Sequence, residues 1–466
     1  MFMLSQLEQY FSHLRHYLKH KTHQTSRLSR KSIEFICLLL GALLVALVSW
    51  GFAKLVELGL EINTFLVNLN PIVAWILLPF GIAALAWFTQ KFTPYVAGSG
   101  IPQVIASIAL PHGKPKETLV HFAQTVWKIP LTFLAMCCGA SVGREGPSVQ
   151  VGAAVMLSWG KFCRKYNLAF NGLSYNELIA TGAAGGLAAA FNAPLAGVIF
   201  AIEEIGRGTP LRWERRVLLG VLAAGFMLVL IQGNNPYFPQ YRGADSVQNI
   251  VLWLLITAVI CGFFGGLFAR LLGKGLAAYL PAFMRGFVRR HPIIVAFILG
   301  LLLAALGTFT NHQTYGTGYA VVTQALNDQA LDNSVGIAKL FATVFTYWSG
   351  IAGGIFTPAL TTGAAIGSNI WHLSGGIVDQ RFLVLLSMAA FLAAATQSPV
   401  TASVIVMEMT GSQPELVWLL STSLMASIVS RQICPKPFYH FAAGRFRQRI
   451  QEQFNQQQKT NDNNTN

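Results

Sequence analysis

The chain has 466 residues, 53% of them hydrophobic and only 11% charged, with a mean hydropathy of +0.51. Soluble domains carry about 25% charged residues, so this composition excludes a soluble enzyme, a disordered protein and a DNA-binding factor and indicates a polytopic all-α membrane protein. The formal charge of +15 does not argue for nucleic acid as a partner, because it gathers in segments that flank apolar runs.

Residues 1–32 are polar and basic, with Arg15, Lys19, Lys21, Arg27, Arg30 and Lys31 against one acid, Glu8. No short apolar core precedes a cleavage site, so a cleavable signal peptide is not expected. A first apolar run at about 33–60 is long enough to cross a bilayer core of ~30 Å. Further runs lie near 71–90, 117–142, 149–162, 178–205, 217–232, 247–272, 293–309, 336–350, 355–372, 381–409 and 415–430. Several are cut by Gly or Pro, at Gly143 to Pro147, Asn192 to Pro194, Gly353 to Pro358 and Ser398-Pro399. Backbone freed at membrane depth has to be satisfied by neighbouring protein or line a polar cavity. That is the pattern of a transporter whose broken helices meet near the midplane.

Loop charges suggest the topology. Segment 206–216 carries Arg207, Arg212, Arg215 and Arg216, 233–248 only Arg242, and 273–292 Lys274, Arg285, Arg289 and Arg290, whereas 311–335 has no Lys or Arg. This alternation fits single crossings at 217–232, 247–272 and 293–309 and predicts both termini on the cytoplasmic side. Residues 441–466 are basic and then Gln/Asn-rich, and are expected to be a disordered cytoplasmic tail. The six cysteines sit mostly in apolar surroundings without metal-ligand spacing, so no metal and no cofactor is expected.

An internal repeat organises the membrane domain, taken as residues 33–440. Gly143-Arg-Glu-Gly-Pro147 followed by Gly152-Ala-Ala matches Gly354-Ile-Phe-Thr-Pro358 followed by Gly363-Ala-Ala, and the stretch from Asn192 to Glu203 matches that from Gln397 to Glu408. The offsets are 211 and 205 residues. Two halves, about 33–232 and 247–440, follow, and such repeats place the substrate site at their interface.

The charged pair Arg144 and Glu145 stands between glycines in an otherwise apolar region, where a carboxylate costs several kcal/mol unless paired or hydrated. Pro147 suits the first turn of a new helix, whose positive end attracts anions. A carboxylate on that turn competes with a dissolved anion for the same place. Gly354–Pro358 repeats the helix start without charge, leaving the amides of Ile355 and Phe356 for an anion, and Gly98-Ser-Gly-Ile-Pro102 adds the hydroxyl of Ser99.

Together, Gly98–Pro102, Gly143–Pro147 and Gly353–Leu360 resemble the three signature segments of the CLC chloride channel and transporter family, over roughly residues 33–440. Within the family the chain resembles the bacterial H+/Cl− exchange transporters without CBS domains. The resemblance implies a CLC-type fold of about 18 tilted and broken helices in two inverted repeats. It further implies a homodimer in the lipid bilayer of a bacterial inner membrane, each subunit exchanging chloride for protons. Ser99, the amides of Ile355 and Phe356, and Tyr439 in Lys436-Pro-Phe-Tyr439 would coordinate chloride. Glu145 would be the gating glutamate, supported by Gly146, and Glu204 the internal proton glutamate. Lys128 and Arg144 would make the pathway electropositive, and Glu203 with its repeat mate Glu408 would be structural or water-organising carboxylates.

The chain departs from the bacterial exchangers at Gln103 and Ile105, where acids are common. Ser99 argues against a nitrate-preferring member, and Tyr439 against a fluoride exporter. A passive chloride channel on the same fold is the alternative, disfavoured by Glu204. An intramembrane protease using Ser99 and a histidine finds no catalytic pattern among the histidines, so the chain does not read as an enzyme.

Overall fold

The computed structural model describes the backbone of residues 2–465 except 112, 210, 212–213 and 244–248, and side chains from 31 to 456 with the same exceptions. Arg212, the first residues of the 247–272 run, and the side chains of the cations before Lys31 and of Lys459 therefore lie outside the described residues. Among those described there is no strand; helices alone build the domain, joined by two isolated backbone bridges. Among the described residues, six helices are long and apolar enough to cross a membrane: Lys31–Leu69, Ile72–Phe92, Arg215–Gln232, Ile250–Lys274, Pro292–Phe309 and Gln413–Ile433. The chain is a multi-pass membrane protein.

The helices run in matching order through two halves. Lys128–Cys137 answers Val335–Trp348, Glu145–Lys165 answers Phe356–Leu373, Tyr175–Phe191 answers Gln380–Thr396, and Arg215–Gln232 answers Leu416–Ile433. The breaks expected at Asn192 to Pro194 and at Ser398-Pro399 have one physical cause. Asn192 and Gln397 end their helices in the left-handed conformation, at φ 53° and 60°. Pro194 and Pro399 then open the next helices, where a missing N–H costs nothing.

Small residues let the central helices touch. A side-chain carbon on Gly152 would strike the carbonyl oxygen of Gly182 and stand 3.1 Å from Gly186 Cα, so Glu145–Lys165 and Tyr175–Phe191 meet backbone to backbone. Close approach through small residues is how membrane helices gain dispersion energy without a hydrophobic driving force.

Three expectations need correction. The run at 117–142 is three short helices, Lys114–Thr118, Phe122–Thr125 and Lys128–Cys137. The polar stretch 311–335 contains the helix Tyr319–Leu326, which buries Val321, Val322, Ala325 and Leu326. The tail expected to be disordered from residue 441 is part of a helix, Phe438–Thr465. Its buried Phe438, Tyr439, Ala442, Ala443 and Ile450 recur at helical spacing and give it an anchored face that the polar composition hides.

Candidate functional site

The three glycine-rich segments, far apart in the chain, are stitched together by main-chain hydrogen bonds. Gly143 N–H donates to Gly354 O at 2.8 Å and Gly354 N–H to Gly143 O at 2.7 Å. Gly98 N–H donates to Ile351 O at 2.9 Å, and Gly353 N–H to Gly98 O at 3.1 Å. The starts of the helices Glu145–Lys165 and Phe356–Leu373 are therefore held side by side. First-turn amides of a helix have no partner within it, so the two helices present bare N–H groups and partial positive charge in one place.

Gly146 is required there for its lack of a side chain. A Cβ on it would collide with Ser99 Oγ and come within 2.8 Å of Ser99 O. The hydroxyls of Ser99 and Tyr439 face one another, and both are buried with no hydrogen-bond partner elsewhere in the protein. Tyr439 lies within electrostatic reach of both Glu145 and Glu204. Its ring stacks on Phe356, centroids 5.8 Å apart, and Phe356 is flanked edge-on by Phe191 and Phe200. Buried polar atoms are nearly always satisfied; the hydroxyls of Ser99 and Tyr439, beside two helix N-termini, find no acceptor in the protein.

Glu145 opens its helix and is buried, and its Oε2 folds back over Gly143 without a hydrogen-bond partner. Arg144 beside it is also buried. Its Nη1 lies 3.3 Å from Glu57 Oε1, its guanidinium stands 5.7 Å from the Tyr237 ring centroid, and its Nε is unpartnered. Arg144 faces a cavity of about 810 Å³ lined also by Glu57, Glu61, Asn192, Tyr237 and Thr317.

Lys128 is fully buried, and its Nζ donates to Val96 O at 2.9 Å and to Gln150 Oε1 at 2.8 Å. It braces the turn that carries Ser99 rather than reaching for an interface. Gln103, where an acid was the alternative, donates to Ala97 O at 2.6 Å in the same turn. The sequence reading missed Lys339, also fully buried, whose Nζ donates to Thr314 O at 2.8 Å and Gly316 O at 2.7 Å. Its position was legible: Lys339 lies 211 residues after Lys128, the offset that separates Gly143 from Gly354.

Glu203 and Glu204 sit on a π-helical turn, Ala201–Ile205, which continues the helix from Pro194. Such turns insert a residue into the helical register and recur at functional sites. Here the turn sends two adjacent carboxylates to different partners. Glu203 accepts from the amides of Val400 at 3.2 Å and Thr401 at 2.6 Å. Glu204, only 1% exposed, accepts from the Ser398 hydroxyl through Oε2, while Oε1 has no hydrogen bond. Glu408 accepts from Leu195 N–H at 3.1 Å and Ala196 N–H at 2.7 Å. Ser398, Arg207 and His440, which surround Glu204, were not singled out as site residues in the sequence, because no spacing rule connects a residue just ahead of the helix Pro399–Thr410, one in the turn after Ala201–Ile205 and one on the helix Phe438–Thr465.

Two mirrored sets of broken helices, their N-termini joined over unpaired hydroxyls and flanked by buried carboxylates, define an ion-translocating membrane protein. Residues 80–431 match the voltage gated chloride channel family, and the chain belongs to that family. It is 30% identical over 437 residues to the H+/Cl− exchange transporter ClcA of Vibrio cholerae, covering 88% of each chain. Its structure is similar to that of a slow cyanobacterial Cl−/H+ antiporter, with a TM-score of 0.72, 26% identity and coverage of 89% of this chain and 97% of the other. A CLC-type fluoride/proton antiporter, 23% identical with a TM-score of 0.68, shares the fold over 88% of this chain and 97% of its own.

Proposed function

We propose that this protein exchanges chloride for protons, as a homodimer in a bacterial inner membrane. The observation that carries the reading is a pair of buried carboxylates, Glu145 and Glu204, both within electrostatic reach of Tyr439 beside the anion donor set. Chloride is bound by Ser99, Tyr439 and the amides of Ile355 and Phe356. Helix ends and hydroxyls stabilise an anion without neutralising it, so that it can also leave.

Ionised Glu145 competes with chloride for the joined helix starts, and protonation removes that competition. An anion then enters as a proton arrives. Glu204 passes protons to and from the opposite side, and it is this second carboxylate that disfavours a passive channel. Lys128 and Arg144 keep the pathway electropositive, while Glu203 and Glu408 hold the frame. The dimer reading rests on the family to which the chain belongs; exposed apolar side chains such as Leu195, Ile202, Phe226, Val417 and Ile428 suit lipid and a second copy alike.

The test is flux in liposomes holding the purified protein, with chloride and pH followed together. A chloride gradient is expected to drive protons uphill. A reversal potential indifferent to a pH gradient would instead establish the channel.

A further inference from the structure

Glu204 is nearly sealed from solvent, so its proton has to arrive through a neighbour or through water. Its contacts narrow the choice among the described residues. Ser398 donates to Oε2, but a hydroxyl carries no net proton. Arg207, whose guanidinium donates to Gln397 O at 2.8 Å, carries donors only and has no site to take up a proton. Glu203 has both carboxylate oxygens on the amides of Val400 and Thr401. The phenol of Tyr439 stays protonated near neutrality.

His440 remains. It follows Tyr439 on the helix Phe438–Thr465, and its side chain is 22% exposed where that of Glu204 is 1%. Its Nε2 donates to the main-chain oxygen of Glu204 at 3.1 Å and lies 3.5 Å from Oε1, the carboxylate oxygen without a hydrogen bond. The ring thus spans from solvent to the proton acceptor. Glu204 and Arg207 are the charged groups that face it.

We infer that His440 is the proton relay between solvent and Glu204. The inference rests on the exchange reading. In the inward step, a hydronium ion from the solvent gives a proton to Nδ1 of the neutral ring and leaves as water. The Nε2–H bond breaks as an O–H bond forms at Glu204 Oε1; the neutral ring, on turning out to solvent, then loses its Nδ1 proton to water and takes one up at Nε2 from hydronium, which restores the starting tautomer. Release runs in reverse. Histidine is the side chain whose ordinary charge change falls between about pH 5 and 8, so the relay works where a cell holds its pH.

The experiment uses the full-length protein in liposomes and compares wild type, His440→Gln and His440→Ala for chloride and proton flux across a range of pH on the Glu204 side. Gln keeps a donor for the Glu204 carbonyl but carries no exchangeable net charge. Proton flux is expected to fall roughly tenfold or more in both variants, the lower end of what a positioned acid–base group contributes, with chloride turnover within about twofold of wild type. The inflection in the proton-flux profile is expected to flatten, and imidazole on that side to restore flux in His440→Ala. Equal coupling in wild type and both variants overturns the relay alone. Loss of both fluxes without imidazole rescue also overturns it, by making His440 a packing residue. A wild type that moves no protons overturns the exchange reading itself.

Discussion

Glu203 and Glu408 cap each other's helices. Each lies toward the end of one broken helix and takes two main-chain amides at the start of the other: Glu203 those of Val400 and Thr401, Glu408 those of Leu195 and Ala196. The two halves are thus clasped by a symmetric pair of carboxylates, each satisfying amides that would otherwise have no partner.

That clasp predicts a graded stability series. Glu408→Ala strands two amides and is expected to cost about 2 kcal/mol, the range for hydrogen bonds to a charged group. Glu408→Gln keeps an acceptor oxygen and should cost less, and the Glu203 pair should behave alike. Thermal unfolding in detergent measures this, and proton coupling should survive in both Gln variants. An Ala variant as stable as wild type would contradict the capping role.

Glu145→Gln should abolish proton coupling and leave anion movement, because the amide resembles the protonated carboxylate but releases no proton. Uphill proton pumping by this variant on a chloride gradient would remove Glu145 as the gate.

Glu204→Gln should stop proton flux while chloride still permeates, since Glu145 remains free to open and close its own position. Glu203→Gln should be milder, because both its oxygens already serve the clasp. Full coupling in Glu204→Gln, read with a pH electrode under a chloride gradient, would leave the anion site standing and send the proton route elsewhere.

Ser99→Pro removes one of the two unpaired hydroxyls and should shift preference from chloride towards nitrate, the less strongly hydrated anion. Paired flux assays with an unchanged chloride-to-nitrate ratio would take Ser99 out of the coordination shell.

Gly146→Ala should lose both fluxes. The added carbon meets Ser99 Oγ and, at 2.8 Å, the main-chain oxygen of Ser99, which cannot move aside as a flexible side chain would. Overpacking of this kind costs about 1–3 kcal/mol, taken up by displacing the turn that holds the hydroxyl. Normal chloride turnover in Gly146→Ala would show that the turn has slack.

The sequence by itself determined the membrane class, the two-half architecture and the breaks at Asn192 to Pro194 and Ser398-Pro399. These are local matters: apolar length sets a span, and a left-handed Asn or Gln before Pro ends one helix and starts another. The repeat also singled out Glu145, and the offset of 211 pointed to Lys339 for a reader who applied it to every charged residue. Tertiary structure decided the rest. The bonds between Gly143 and Gly354 are main chain to main chain across 211 residues and leave no mark on side-chain pattern. The reciprocal clasp depends on a π turn that composition does not reveal. The polar tail folds because a few apolar residues find a surface prepared elsewhere in the chain, and only that folding brings His440 against Glu204. Periodicity reports what a segment needs to bury; it carries no record of which distant backbone or carboxylate will meet it.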